Sequence, residues 1–165
     1  MTQIAEINAL TEANFVAAFG DVAEHSPWVA AAAAKQRPFA DRAAMVAAFV
    51  SALRNADRAA QLALIRAHPD LASRARLTTD SAREQAGVGL ESLTAEEFRR
   101  FTDFNDRHKA RFDFPFIFAV KGATKHQILA AFAERIDKSL DEEFAITLEQ
   151  ITRIFRFRIE DRVAS

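Results

Sequence analysis

The sequence contains no cysteine, which excludes disulfides, thiolate metal sites, iron–sulfur clusters and cysteine nucleophiles. It has only four glycines and four prolines in 165 residues, too few turn residues for the many short strands of a β-sandwich. Residues that favour helices, namely Ala, Leu, Glu, Gln, Lys and Arg, are abundant instead. The composition therefore predicts an all-α protein.

The sequence also lacks an excess of either charge. With 22 basic and 23 acidic residues, the net charge is −1, so no overall field attracts nucleic acid or an anionic membrane. No window approaches a membrane span, and the first residues lack a cationic segment followed by a long apolar run. We therefore expect a cytoplasmic protein that binds neither nucleic acid nor membrane.

Metal and cofactor motifs are missing from the sequence as well. The four histidines are scattered without the close spacing of a catalytic zinc helix, so we expect no metal site. No GxGxxG or P-loop pattern occurs. The length and the hydrophobic half of the residues suit one domain, 1–165, and we expect a helical bundle of about seven to eight helices.

Helix starts are marked by short polar side chains that can cap backbone N–H groups. We predict such starts at Thr11, at Ser26 before Pro27, at Asp41 and at Thr94. Further starts are predicted near 57, 124 and 141. At Thr94, the Thr-Ala-Glu-Glu sequence is a capping box. These signals place the loops between helices that bury Ala, Leu, Ile and Phe.

Residues 112–122 interrupt this helical pattern. They are almost continuously apolar, yet Pro115 in their middle opposes a helix. We predict a buried extended segment, whose unpaired backbone groups would each cost roughly 1–3 kcal/mol. A bound ligand is one candidate partner for these groups, and simple burial in the core is the alternative.

Residues 68–89 concentrate polar chemistry that no hydrophobic pattern requires. Pro69 biases His68 away from helical geometry, so an imidazole lies where a helix ends. Ser81, Glu84 and Gln85 are spaced to share one helical face. The alternatives are structural: His68 can bond the last helix carbonyls, and Ser81 with Glu84 can form a capping box. As a functional site, the histidine would act as a general acid or base.

Four arginines follow one another near the C-terminus, at positions 153, 156, 158 and 162. Cations at the end of a helix suit its dipole, and we interpret most of this group as a solvated face. One of them can turn inward to meet a carboxylate.

Several of these motifs together resemble the OHCU decarboxylase family of purine catabolism. The matching features, which occur in family order and span nearly the whole chain, are Phe19-Gly20, Ser26-Pro27-Trp28, His68-Pro69-Asp70-Leu71, Ser81-Ala82-Arg83-Glu84-Gln85, Phe104-Asn105 and Arg111-Phe112 through Gly122. His108 stands where family members often have tyrosine. The combination is specific, although HPDL or SxxEQ alone would be weak.

The resemblance implies decarboxylation of 2-oxo-4-hydroxy-4-carboxy-5-ureidoimidazoline (OHCU) to (S)-allantoin, without a cofactor, in a homodimer. It implies His68 as the catalytic acid or base and Glu84 as the group that orients it. The implied substrate-binding residues are Pro69, Ser81, Gln85, Phe116, Ile117, Phe118, Ala119, Val120 and Arg158, with Arg153 and Arg156 as alternatives for the arginine. Two other functions remain open, a non-catalytic helical binding module and a related cofactor-free lyase acting on another heterocycle.

Overall fold

The computed structural model describes residues 1–72 and 79–165, so residues 73–78 of the polar stretch lie outside the described ranges. Within these ranges there are nine α-helices and, as β-structure, only an isolated bridge between Thr2 and Val163. The helices are α1 (Ile4–Ala9), α2 (Glu12–Phe19), α3 (Trp28–Ala34), α4 (Arg42–Asn55), α5 (Arg58–Ala67), α6 (Thr79–Gly87), α7 (Ala95–Phe112), α8 (Lys125–Arg135) and α9 (Leu140–Glu160). The all-α prediction is confirmed.

The chain forms two compact units. The first comprises Met1–Ala67 and Thr152–Ser165, and the second comprises His68–Ile151. Helix α9 contributes residues to both. No helix in the described parts of the chain is long and apolar enough to cross a bilayer. The assignment of 1–165 to one domain stays a prediction.

Phenylalanine rings fill the core of the first unit. Phe49 is buried and packs its ring 6.1 Å from that of Phe15 and 6.2 Å from that of Phe155. Arg37 places its guanidinium over Phe15 and donates to the carbonyls of Ile7 and Leu10. This cation adds a second donor to the Ile7 carbonyl, which also accepts from the N–H of Leu10, and it supplies a donor to the Leu10 carbonyl just beyond the end of α1.

Two of the predicted caps in the first unit are confirmed. The Thr11 hydroxyl accepts from the N–H of Asn14 at 3.1 Å, and Asp41 accepts from Ala44 at 2.7 Å. The prediction of Ser26 as an N-cap is wrong, since α3 begins at Trp28 and the Ser26 hydroxyl donates to the carbonyl of Glu24 at 2.8 Å. Serine caps and serine turns have the same local sequence, and the carbonyl partner decides between them.

Helix α7 forms much of the second unit's core and begins at the predicted capping box. Its buried face is the row Phe101, Asn105, His108 and Phe112, which repeats every three or four residues. Phe98 and Phe104, each three residues from Phe101, are only half-buried. Two polar side chains, Asn105 and His108, therefore lie on the buried face of this helix.

The predicted extended segment follows directly. Asp113 adopts a left-handed conformation with φ 60° and ends α7, a conformation that Asp and Asn tolerate better than most residues. Residues 114–120 then run without helix, and Phe114, Phe116 and Val120 are buried. This prediction is confirmed. Helix α8 next begins at the Thr124 cap and ends at Arg135.

The capping box of α7 is linked to α8 by an ion pair. Lys125 Nζ lies 2.5 Å from Glu97 Oε2, while Glu97 Oε1 accepts from the N–H of Thr94 at 3.0 Å. The Lys125 contact, with help from Thr94, lowers the pKa of Glu97 from 4.5 to about 2. The ionised carboxylate therefore stabilises the fold fully above pH 4.5, and this contribution is lost as the pH falls toward 2.

We accordingly expect Glu97→Gln to lower the melting temperature at neutral pH, because glutamine removes the charge from both contacts. The difference from the unsubstituted protein should close as the pH falls from 4.5 to 2, the range in which Glu97 takes up its proton. Thermal unfolding followed by circular dichroism measures it. A difference that stays constant across this range would contradict the role of Glu97.

Candidate functional site

The turn that follows α5 places His68 in a largely buried position. His68 is 9% exposed and comes directly after Ala67, the last residue of α5. Both His68 and the half-buried Pro69 belong to the second unit. The sequence prediction that this imidazole lies where a helix ends is confirmed.

Three side chains from two helices hold the turn next to His68. Lys109 Nζ lies 2.6 Å from Asp70, and the Asn105 amide donates to the carbonyl of Leu71 at 2.8 Å. The N–H of Ala72 donates to Gln85 Oε1 at 3.0 Å. Ala72 has φ 56°, a conformation unfavourable for alanine that its surroundings must enforce. The backbone after His68 is therefore fixed by α6 and α7.

Helix α6 carries the predicted polar trio. Ser81 and Gln85 are buried and Glu84 is half-buried, as their i, i+3, i+4 spacing on one helical face predicts. Because α6 already begins at Thr79, Ser81 lies inside the helix and is not its N-cap. The capping-box interpretation of Ser81 and Glu84 is therefore wrong.

The extended segment, residues 114–120, finds its main-chain partners among helical side chains. His108 Nδ1 lies 3.0 Å from the carbonyl of Phe114, and Arg135 Nη1 donates to the carbonyl of Ile117 at 2.7 Å. The N–H of Ala119 donates to Gln150 at 2.9 Å. These contacts replace part of what a neighbouring strand would supply.

The same segment also contains main-chain donors that these contacts leave unused. Within residues 1–72 and 79–165, the N–H groups of Phe118 and Val120 have no hydrogen-bond partner. Phe116, Ile117, Ala119 and Val120 are buried, and Phe118 is half-buried. The segment thus presents main-chain N–H groups, unpaired within the described ranges, next to the Ile117 carbonyl and the Ala119 N–H, which side chains hold in place.

Behind this segment lies a fully buried group of charges. Arg135 donates from Nε and Nη2 to the Glu143 carboxylate, with Nε 2.9 Å from Oε1. His108 Nε2 lies 3.3 Å from the same Oε1, and both His108 and Glu143 are 0% exposed. The Thr147 hydroxyl donates to this carboxylate at 3.2 Å, and the Arg135 guanidinium stacks 4.1 Å from the ring centroid of Phe116.

The electrostatics of this group follow from its geometry. Burial raises the pKa of Glu143, but the contacts with His108 and Arg135 outweigh it and hold the pKa below its usual range. Because a carbonyl oxygen only accepts, His108 carries a proton on Nδ1 where it meets Phe114. Glu143 is therefore a carboxylate that the surrounding donors keep ionised.

Arg158 belongs to the first unit. It is 2% exposed, and its Nη1 donates to Glu24 at 2.8 Å and to the carbonyl of Val22 at 3.2 Å. Arg153 and Arg156 are exposed. The expectation that one of the terminal arginines turns inward to a carboxylate is confirmed, and that arginine is Arg158.

Sequence reasoning missed the side chains that anchor the site. These residues are Asn105, His108, Lys109, Arg135, Glu143 and Gln150. Asn105 was noted only as part of a matching motif. A detectable signal was the position of Asn105 and His108 on the apolar face of α7, where polar residues are unusual unless they are hydrogen-bonded.

Comparison with known proteins places these features in a family context. The family model described as OHCU decarboxylase matches residues 8–160. A 2-oxo-4-hydroxy-4-carboxy-5-ureidoimidazoline decarboxylase of Haloferax volcanii is 39% identical over 97% of this chain and 95% of its own. A protein of the same name from Halalkalicoccus jeotgali is 37% identical over 96% and 90%.

A solved structure shares this fold. The crystal structure of an (S)-allantoin synthase superposes with a TM-score of 0.81 at 28% sequence identity. The match covers 98% of this chain and 54% of that chain. The chain therefore corresponds to about half of that protein.

Proposed function

Because the chain belongs to the OHCU decarboxylase family, we propose that it converts OHCU to (S)-allantoin in urate degradation. The observation that carries the proposal is the match over residues 8–160, together with relatives that align along nearly their whole length. The reaction is that of a carbon–carbon lyase. It releases carbon dioxide from the carbon that bears the carboxylate.

The substrate supplies its own electron sink. The carbon that bears the carboxylate adjoins a ring C=N carbon, so the electron pair left by carbon dioxide can move onto the ring nitrogen. To give allantoin, a proton must then be added to the former C=N carbon, which bears the ureido group. The hydroxyl of the carbon that lost carbon dioxide gives up its proton and becomes the ring carbonyl. The protein has to bind the anion, align the breaking bond with the π system and handle protons.

In this proposal His68 is the acid or base and Glu84 orients it. His68 acts on the hydroxyl of the carbon that loses carbon dioxide and takes part in the proton transfer to the adjacent ureido-bearing carbon, and protonation of that carbon on one face sets the S configuration. The buried position of His68 beside a fixed turn supports this role, because a general acid or base needs a defined geometry. The position of Glu84 on the same helical face as Ser81 supports a shared polar pocket.

The remaining residues bind the substrate in this proposal. Gln85 already uses its Oε1 on Ala72, so its amide N–H group is the part that meets the ligand. Pro69, Ser81 and residues 116–120 complete the contacts. In that segment the Ala119 N–H and the Ile117 carbonyl are engaged, and the N–H groups of Phe118 and Val120, on either side of Ala119, are the proposed donors to the ureido and ring oxygens.

Arg158 stays in the proposal as the arginine that faces the substrate. It is the buried one of the three candidate arginines.

The test is to add the protein to freshly generated OHCU and to follow the circular dichroism of allantoin. We expect allantoin to appear faster than in the spontaneous reaction, with an excess of the S enantiomer. If the protein produces no acceleration and no enantiomeric excess, the result favours a non-catalytic binding module. Turnover of a different ureido heterocycle in preference to OHCU would favour a related lyase.

A homodimer, one folding domain over 1–165 and a cytoplasmic location complete the proposal. Sedimentation equilibrium tests the dimer, which should have twice the chain mass of 18.4 kDa. A single unfolding transition seen by both circular dichroism and Trp28 fluorescence tests the one-domain assignment. Cell fractionation, with the activity assayed in each fraction, tests the location.

A further inference from the structure

The buried charges of the second unit need an explanation beyond stability. Arg135, Glu143 and His108 lie together with almost no exposed surface. Removing such groups from water is costly, and a buried ion pair often contributes no more stability than apolar side chains of the same volume. A more specific use is to fix the position of a neighbouring part of the chain.

The neighbouring part is the extended segment. Arg135 is the link, because one guanidinium binds Glu143 through Nε and Nη2, donates to the Ile117 carbonyl through Nη1 and stacks on the ring of Phe116. Glu143 fixes the orientation of this guanidinium. Movement of the segment away from Arg135 would weaken both the hydrogen bond to the Ile117 carbonyl and the stacking on Phe116.

Two further anchors lie on either side of this link. His108 meets the Phe114 carbonyl, and Gln150 accepts the Ala119 N–H. The three anchoring side chains come from α7, α8 and α9, so their spacing is set by the packing of three helices. Phe118 and Val120 are the immediate neighbours of Ala119, whose N–H is held by Gln150. The directions of their own N–H groups therefore depend on this hydrogen bond.

We propose that Arg135 is a positioning residue for the decarboxylation, supported by Glu143 and His108, and that with Gln150 it aligns the main-chain N–H groups of Phe118 and Val120 with the substrate. The proposal rests on the proposed function for its substrate. The anchoring of the segment is independent of which substrate is bound.

The experiment compares Arg135→Lys with Gln150→Leu. Lysine keeps the charge but cannot bind Glu143, bind Ile117 and stack on Phe116 together, because its ammonium is a single point donor. Gln150 is half-buried and uncharged, so Gln150→Leu should fold even if Arg135→Lys does not. For each variant we expect faster amide hydrogen exchange at residues 116–120 and a loss in kcat/KM of up to about 10²-fold, the scale expected for misplacement by 1 Å.

Two controls separate positioning from general destabilisation. Leu53→Ala removes a fully buried side chain from the first unit, and it should lower stability without faster exchange at 116–120. Gln36→Leu repeats the Gln150 substitution at an exposed position of the first unit and should leave both readouts unchanged. The pH profile of kcat/KM should keep its shape in the Arg135 and Gln150 variants, since His68 is intact.

The outcomes are distinguishable. Faster exchange at 116–120 together with lower kcat/KM supports the proposal. Normal kcat/KM in folded Gln150→Leu and Arg135→Lys overturns it, and so does exchange that rises equally in Leu53→Ala. If the unsubstituted protein does not turn over OHCU, the proposed function fails, whereas the exchange data still decide whether Arg135 and Gln150 anchor the segment.

Discussion

His68→Gln is expected to lower kcat for the decarboxylation by about 10²–10⁴-fold, the range typical of losing a general acid or base. This corresponds to roughly 3–5 kcal/mol of transition-state stabilisation. Glutamine keeps a polar side chain of similar size but cannot exchange a proton near neutral pH. Because the turn is held by Asn105 and Gln85, the fold should persist. Steady-state kinetics, with allantoin followed by circular dichroism, measure the loss.

The matched control is His126→Gln, which changes an exposed histidine at the start of α8 and should leave turnover unaltered. Glu84→Gln should lower kcat as well and also change the pH profile of kcat, because a group that orients the imidazole affects its proton transfers. Near-normal turnover in both His68→Gln and Glu84→Gln would defeat the assignment of this pair.

The second large effect is on stability. We expect Glu143→Leu to lower the free energy of unfolding by roughly 3–5 kcal/mol, since it leaves the buried Arg135 without its carboxylate. Glu143 is 0% exposed and is bound by Arg135 through two nitrogens. Chemical denaturation followed by circular dichroism measures the change. Trp28 belongs to the first unit, so its fluorescence reports separately whether the first unit unfolds together with the second.

A double variant tests whether charge imbalance is the cause. Adding Arg135→Met to Glu143→Leu removes the stranded cation and should recover part of the lost stability, because apolar pairs of similar volume often replace buried ion pairs without cost. Recovery should be incomplete, since the Ile117 carbonyl then lacks its donor, at a cost of about 1–3 kcal/mol. A double variant less stable than the single one would indicate that lost packing dominates.

Local signals in the sequence predicted much of the fold. The capping hydrogen bonds between Thr94 and Glu97, and from the N–H of Ala44 to Asp41, join residues three positions apart. Their geometry is therefore almost independent of the rest of the chain. The extended segment was predicted for a similar reason, because Pro115 opposes a helix wherever it lies. Helix α1 was missed. It has six residues and is capped by Gln3 with Glu6, which is not a common pair.

The candidate site was predicted only where its residues adjoin in sequence or match a family motif. His68 precedes a proline, and Ser81, Glu84 and Gln85 share a helical face, so their grouping was visible. The pairing of Gln150 with Ala119, 31 residues apart, depends on how the helices pack. The burial of His108 next to Glu143 depends on the same packing. No local rule predicts such contacts.

A surface made from main-chain atoms has consequences for changing the enzyme. Every residue except proline carries the same main-chain N–H group, so a library that randomises residues 116–120 without proline alters packing but leaves the N–H groups in place. Heritable variation in substrate preference should instead arise at positions 135, 143 and 150, which touch the segment or its anchor from behind. Under the proposed function, directed evolution toward related heterocycles therefore has its most useful targets in these residues, which contact the segment or its anchor.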